Sequence, residues 1–581
     1  MVIQKFAITI RNLICMKSFS IYLSLLFFIA LSTPLQATVF MVSTSGEFND
    51  AQNNAAAGDS IIWVDGLYSD VYMQISKDSL YIGAETLGEV IFQGISRVNV
   101  SADYITFRGF QYLGGNIGSL DVINITGSHG HYDEININGY RCYKYLRVRE
   151  QSQYVRITHC NFENRLTVAD QNILSILVDA NQPGYHKIQY CSFKNFPGGG
   201  NDEGVEPIRI GLSSQANRNS RSLVEYCYFT QCDGDGEIIS SKASQNVYRF
   251  NTFEDNLKAE LVLRHGSEAI VYGNFFINNK GGVRVREGQN HYIYNNYFTE
   301  IWDRPIYLQN EASDPLDSIT IAFNTVTDSD DIRLGGPGSN EPSNVLFANN
   351  IFTTPDDGVF ENATGSETWI GNIAFGTLGI NLPASGIIQI DPMLVQNSAG
   401  FYGLDSMSPA IDAAQPGYLP LPQFEGMDTI DVDMLFDMMG QARPSTTAQK
   451  DLGNNEYPHN VLIQPIATEE NTGPSYDTDF STSIEEPKLF VEDLFQLFPN
   501  PATDQLNIKL EIESAASVKV EILDLQGRVL SLVFEGTLLP ASHNISEQIS
   551  SLPAGSYMLK VQSSALIGGQ SKIQARSFIK L

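Results

Sequence analysis

The sequence predicts an all-β chain, a right-handed parallel β-helix followed by a small β-sandwich module at the C-terminus. Two observations predict the helix: a four-residue template recurs along residues 159–352, and helical periodicity is nearly absent. A third predicts the module, because alternation of polar and apolar residues returns after Phe498.

In chain order, residues 1–37 read as a secretory signal with Met16 as an alternative start. Lys17 precedes an apolar run from Tyr22 to Leu31, and Ala37 is the small residue a cleavage site needs. That run is shorter than the roughly 20 residues of a spanning helix. No other segment is long and apolar enough, so the mature chain is expected to have no stable membrane span.

Residues 38–454 form the predicted β-helix. Its template is His-Cys-Asn-Phe at 159–162, Tyr-Cys-Ser-Phe at 190–193 and Tyr-Cys-Tyr-Phe at 226–229. It continues as Phe-Asn-Thr-Phe at 250–253, Gly-Asn-Phe-Phe at 273–276 and Asn-Asn-Tyr-Phe at 295–298. The second residue marks each copy: Cys160, Cys191, Cys227, Asn251, Asn274, Asn296, Asn324 and Asn350. The steps are 31, 36, 24, 23, 22, 28 and 26 residues, a floor near 22 with variable additions. That is the mark of a solenoid whose insertions are loops. Asn side chains are expected to ladder at the bends, and the cysteines to form a buried stack rather than a redox or zinc site. Asp391-Pro392 and Asp405–Asp412 are placed in the last turns or their cap.

Residues 455–490, rich in Pro, Thr, Ser and Glu, read as an acidic flexible linker. Residues 491–581 are the β-sandwich. The Phe498-Pro499-Asn500-Pro501 opening, Asp524-Leu525-Gln526-Gly527-Arg528-Val529 and Leu552-Pro553-Ala554-Gly555-Ser556-Tyr557 resemble the C-terminal sorting domain of the type IX secretion system of Bacteroidetes. The resemblance implies export through the periplasm of a Gram-negative cell to the surface or beyond, with the type IX machinery as partner. A carbohydrate-binding domain is the alternative.

Charge narrows the partners. The chain of 581 residues has 66 Asp and Glu against 36 Lys and Arg, net −30. Residues 1–310 hold 30 acids and 25 bases, 311–500 hold 29 and 4, and 501–581 hold 7 of each. Non-specific binding to nucleic acid needs a basic surface and is excluded. A polyanion can still be met in the near-neutral first part.

Three features there suggest a binding wall with chemistry. The longest step encloses Gly198–Gly204, an acidic, glycine-rich insertion containing Glu203. Asp233, Asp235 and Glu237 crowd five residues. Bases recur after successive markers, Lys242 by 15, Arg264 by 13 and Arg284 by 10 residues. Stacked turns could bring Lys242 and Arg264 to one bound sugar, and bases beside clustered acids suit a calcium site in a cationic cleft. Each feature also has a plainer explanation, as solvated edge residues or a hydrated turn.

Residues 38 to about 445 resemble polysaccharide lyase family 6, the alginate lyases and chondroitinase B. The segments are Ile208-Arg209-Ile210-Gly211, Glu237-Ile238-Ile239-Ser240-Ser241-Lys242, Leu263-Arg264-His265-Gly266 and Gly273-Asn274-Phe275-Phe276, with Ala57–Ile62 and Asp65–Tyr68 before them. The resemblance implies Lys242 as base and Arg264 as acid. It implies calcium bound by Asp235 and Glu237, with Glu203 standing where the family has Asn and Glu206 close by. Arg209, His265, Arg284 and Arg304 are candidates for substrate contacts. The implied substrate is an anionic polysaccharide, alginate first, cleaved by β-elimination. The alternatives are a dermatan sulfate lyase, a β-helix glycoside hydrolase using paired Asp acids, and a non-catalytic polysaccharide-binding β-helix.

Overall fold

The computed structural model describes residues 37–498 and 502–580, apart from 167–171, 199–203, 310–314, 336–340, 355–357, 398–399, 429, 459–465, 477–494, 513–515, 524–528, 539–540, 551, 554 and 566–570. The signal segment, all but Ala37, and Glu203 lie outside the described residues. Two compact units are present, one up to Thr478 and one from Asp479.

The first unit is a parallel β-solenoid. Its turns feed three sheets: a first of 14 strands from Val39–Val42 to Thr368–Ile370, a second of 14 from Gly66–Ser69 to Ile387–Gln389, and a third of 12 from Tyr72–Ile75 to Phe360–Glu361. Apolar residues alternate inward, as Ile208 and Ile210 do around Arg209, and fill one continuous core. No turn buries its apolar face alone, so each depends on its neighbours.

The template sits at the bend into the second sheet. The residue before each marker takes a left-handed conformation: His159, Tyr190, Tyr226, Phe250, Asn295 and Asn349 all have positive φ, and Gly273 has φ 66°. Asn274 Nδ2 donates to Tyr248 O at 2.9 Å and to Asn296 Oδ1 at 3.0 Å, while its own Oδ1 accepts from Asn251 N and Nδ2 at 3.0 Å each. The ladder runs from Asn251 through Asn324 and Asn350 to Asn372, one turn past the last marker read from the sequence. The cysteines occupy the same position, all buried and free. Cys191 and Cys227 Sγ each reach the preceding turn's carbonyl at 3.6 Å, a weak version of the Asn bond. Inside, Phe162, Phe193, Phe229, Phe253, Phe276 and Phe298 stack at 4.7–5.1 Å, the spacing of adjacent strands.

Helix Ser45–Asn54 closes the N-terminal end. Thr44 caps it by accepting from Glu47 N at 3.2 Å, and Glu47 Oε2 accepts from Ser43 N at 2.7 Å. Its buried stripe is only Phe48, Ala51 and Gln52, too narrow to show as helical periodicity.

After the hairpin of Leu394–Gln396 and Tyr402–Leu404, the chain turns back along the outside of the first sheet. Leu421, Phe424, Ile430 and Met434 pack on the outward residues Leu223, Val247, Ile270 and Tyr294. Buried Arg443 binds Glu456 Oε1 at 2.5 Å and Asn295 Oδ1 at 2.9 Å. The strap ends far back: Gly473 N donates to Tyr190 O at 2.8 Å, and Ser475 N to Glu134 Oε2 at 2.6 Å. Of the segment expected to be a flexible linker, residues 455–458 and 466–476 are described, and Glu456, Gly473 and Ser475 there are docked on the solenoid. Scattered contacts hold it, the Glu456 carboxylate on Arg443, Ile466 on a small apolar cluster and Ser475 on Glu134, so no periodic stripe in its composition signals attachment. A chain ending after Tyr476 is expected to be more stable than one ending after Asn454, by about 2–4 kcal/mol for the hydrogen bonds lost. Equal thermal midpoints would show the strap to be inert.

The second unit has two antiparallel sheets. One holds Phe495–Phe498, Gln505–Ile512 and Ala541–Gln548; the other holds Ala516–Leu523, Val529–Leu538, Gly555–Ala565 and Ser571–Lys580. Leu506, Ile508, Val518, Val520, Leu559 and Val561 form their common core, as the alternation predicts.

Candidate active site

The outward face of the third sheet carries the predicted chemistry. Strands Ile208–Ile210, Glu237–Ser241, Glu260–Leu263 and Gly281–Val285 lie side by side, with Ile210 opposite Ser241, Ser241 opposite Leu263 and Leu263 opposite Val285. The next residue on each strand makes the same backbone bond to the turn before. Lys242 N donates to Ile210 O, Arg264 N to Ser241 O and Arg286 N to Leu263 O, at 2.8, 2.7 and 2.9 Å. Lys242 and Arg264 therefore occupy one row on adjacent turns.

Arg284 does not share that row. It stands opposite Val262, in the row of Arg209 and Ser240, and the third place beside Lys242 and Arg264 belongs to Arg286. Offsets counted from the Asn markers drift because the second-sheet corner differs in length from turn to turn. Counting from the Ile-Arg-Ile and Leu-Val-Leu cores instead points to Arg286.

The turn after Arg264 is tight. His265 adopts φ 69°, and a Cβ on Gly266 would stand 2.3 Å from Ala243 O, so only glycine lets this turn lie on the turn of Lys242.

Each arginine of the face, and His265, has an acid. Arg264 Nη1 meets Glu237 Oε1 at 2.7 Å, and Arg286 Nη1 lies 3.7 Å from the same oxygen. Arg209 grips Glu206 with Nη2 at 2.6 and 2.7 Å from its two oxygens. Arg284 and Arg304 share buried Glu260, each at 3.5 Å. His265 Nδ1 pairs with Glu287. Burial pushes Glu287 up, but the His265 hydrogen bond and the charges of His265, Arg286 and Arg264 outweigh it and hold the carboxyl below its ordinary range. Lys242 is pushed below the ordinary lysine range, first by burial and then by Arg209 and Arg264, against the opposite pull of Glu237 and Glu206. Tyr307, not singled out in the sequence, has Arg304, Arg284 and Arg333 at 4.2, 5.3 and 5.5 Å from its ring centre.

The carboxylates expected to bind calcium divide. Glu206 is committed to Arg209. Asp235 Oδ2 accepts from Gly204 N at 2.6 Å, and its Oδ1 accepts from Glu237 N at 3.0 Å. Glu237 Oε2 is buried without a hydrogen-bond partner, which suits a hard cation. Among the described residues no group of three or more His, Cys, Asp and Glu side chains is placed to hold a metal. A complete set would draw on Glu203, outside the described residues but next to Gly204, which binds Asp235.

Residues 42–306, which contain every site residue named so far in this face except Tyr307 and Arg333, match the chondroitinase B family model. Residues 496–573 match the secretion system C-terminal sorting domain, which indicates export to the cell surface or beyond. No helix among the described residues is long and apolar enough to cross a membrane. No curated protein matches the chain. Among solved structures, the PL6 family alginate lyase AlyGC shares 22% identity at TM-score 0.58, over 64% of this chain and 56% of its own. The chain thus spans little more than half of that enzyme. A mannuronic acid specific family 6 lyase from human gut microbiota shares 22% at TM-score 0.52, over 58% of this chain and 86% of its own. A PL6 polysaccharide lyase from Pseudopedobacter saltans shares 21% at TM-score 0.50, over 61% and 98%. At these identities the likeness is one of fold. Over residues 42–306, then, the chain carries the sequence pattern of the chondroitinase B family of polysaccharide lyases on a parallel β-solenoid, and a secretion sorting domain follows later in the sequence.

Proposed function

We propose that the protein is an exported lyase that cleaves a uronate-containing polysaccharide, alginate first, by β-elimination. One observation carries the reading: Lys242 and Arg264 stand in one row on adjacent turns, and Lys242 is biased toward its neutral form by burial and neighbouring guanidinium groups. Neutral Lys242 takes the C5 proton of the uronate, the electron pair forms the C4–C5 double bond, and the C4–O bond breaks with Arg264 placed to protonate the leaving oxygen. Arg209 and Arg286, in the same face, would offset charge that grows on the carboxylate.

Glu237, Asp235 and Glu203 would hold the calcium that the family resemblance implies; bound there, it would neutralise the substrate carboxylate. Chelation is expected to lower activity and to move the pH optimum upward, because unscreened Glu237 pulls Lys242 toward its charged form. An unchanged rate and optimum would remove the metal from the mechanism.

The match to the chondroitinase B model favours a second substrate, dermatan sulfate. Incubation with alginate, polymannuronate, polyguluronate and dermatan sulfate, followed by the absorbance of the unsaturated uronate, separates the two. No product from any of them would sink the lyase reading and leave a binding protein. New reducing ends without that absorbance would indicate a hydrolase.

The pH profile gives a finer test. A base works unprotonated, so activity rises with pH through the pKa of Lys242. Removing the Arg209 charge, and freeing Glu206 with it, raises that pKa. Arg209→Gln is therefore expected to move the acid limb of kcat/KM to higher pH, and an unmoved limb would argue that Lys242 is not the titrating base.

A further inference from the structure

Upstream on the third sheet lies a second cationic group. Strand Leu146–Val148 stands three strands before Glu237–Ser241, along the register Arg147–Ser175–Arg209–Ser240. Arg149 N donates to Ile125 O at 2.9 Å, the same backbone bond that Lys242 makes to its own preceding turn. Arg147 and Arg149 thus hold, three turns earlier, the two rows that Ser240 and Lys242 hold at the site. Leu146 and Val148 point into the core, so Arg147 points out beside Asn124 of the preceding strand.

The pairing there is incomplete. Arg147 Nη1 is 3.7 Å from Asp121 Oδ2, while Arg147 Nε, Asp121 Oδ1 and Asn124 Oδ1 are buried without hydrogen-bond partners. Among the described residues, the acid nearest Arg149 is Glu150, at 3.9 Å. Lys144, itself buried, adds charge from over the Tyr143 ring, 4.4 Å from its centre, and the Arg147 guanidinium lies 5.5 Å from the same centre. Buried polar atoms without partners are uncommon, so the chain satisfies this cluster less fully than the arginine–carboxylate pairs of the site. The Arg147 and Arg149 side chains are 21% and 35% exposed, which leaves both open to a ligand from solvent.

We propose that Arg147 and Arg149, with Asn124, form a distal subsite for an anionic sugar of the same polysaccharide, which rests on the lyase reading for the identity of that chain. Strands in a sheet are about 4.8 Å apart, so the subsite lies about 14 Å along the axis from the turn of Lys242. A uronate residue is close in length to one strand spacing. A chain laid along the face would place a carboxylate about three residues from the cleaved bond against Arg147. Short oligouronates would never reach it.

The test compares wild type with the Arg147→Ala, Arg149→Ala double variant on a graded series of oligouronates up to the polymer. Loss of charge-assisted hydrogen bonds is expected to lower kcat/KM about tenfold on long substrates, through KM, and to leave the shortest cleavable ones unchanged. Arg147→Lys with Arg149→Lys should restore part of the loss. A uniform loss at every length would mean a structural role, and no loss at any length would remove the subsite; either overturns the proposal. Titration of polyuronate into Lys242→Ala, with and without the two arginines, separates the claims. Weaker binding without them supports the subsite even if wild type cleaves nothing, in which case the lyase reading alone fails. Equal binding overturns the subsite.

Discussion

Lys242→Ala is expected to lower turnover of the polysaccharide by about a thousandfold, within the range that loss of a positioned acid–base group produces. Binding should survive, because Arg209, Arg284, Arg286 and Arg304 keep their carboxylate partners. The backbone should survive too. Lys242 is outward, its N–H bond to Ile210 needs no side chain, and the inward positions Ile239 and Ser241 are untouched. The measurement is the steady-state rate of unsaturated product, with polymer binding and thermal midpoint as controls. A variant that keeps wild-type turnover would exclude Lys242 as base and turn attention to a hydrolytic use of the carboxylates.

The largest stability effect is expected at the Asn ladder. Asn274 is fully buried, and Asn274→Leu strands Asn251 N, leaves Asn251 Nδ2 with its bond to Val224 O alone, and removes the amide donor from Tyr248 O, Tyr272 O and Asn296 Oδ1. Buried groups left without partners cost about 1–3 kcal/mol each, with some relief from relaxation, so a loss of about 3–5 kcal/mol is expected. Asn274→Cys should cost less. Cysteine already holds this position at 191 and 227, where Sγ reaches the corresponding carbonyl. Denaturant midpoints of the two variants decide it. Equal losses would mean that side-chain volume rather than hydrogen bonding governs the bend.

The same ladder explains what was legible in the sequence. A bend that requires a left-handed residue and then a buried amide leaves a fixed signature, so the period, the parallel stack and the core Phe column follow from residues 159–352. The relation of Lys242 to Arg264 was half legible. Both fall after a short apolar strand core, but the corner between marker and strand varies, and Arg286 was lost in that drift. The N-terminal helix was not legible, because Phe48 and Ala51 alone make its apolar stripe. Nor was the strap, whose attachments are scattered contacts with distant residues, such as Leu421 and Phe424 on the first sheet and Ser475 on Glu134. Pairing between residues so far apart in the chain leaves no local pattern.

That strap also separates two stages in the assembly of the solenoid. Turns join neighbours about 25 residues away, as Asn251 joins Asn274 at a separation of 23, so the coil can grow in the direction of synthesis. Ser475 meets Glu134 across 341 residues and Tyr476 OH meets Phe110 O across 366, so neither contact can close until the whole first unit has emerged. Refolding is expected to show a fast zippering phase and a slower docking phase. The second would act as a latch that closes only on a completed coil.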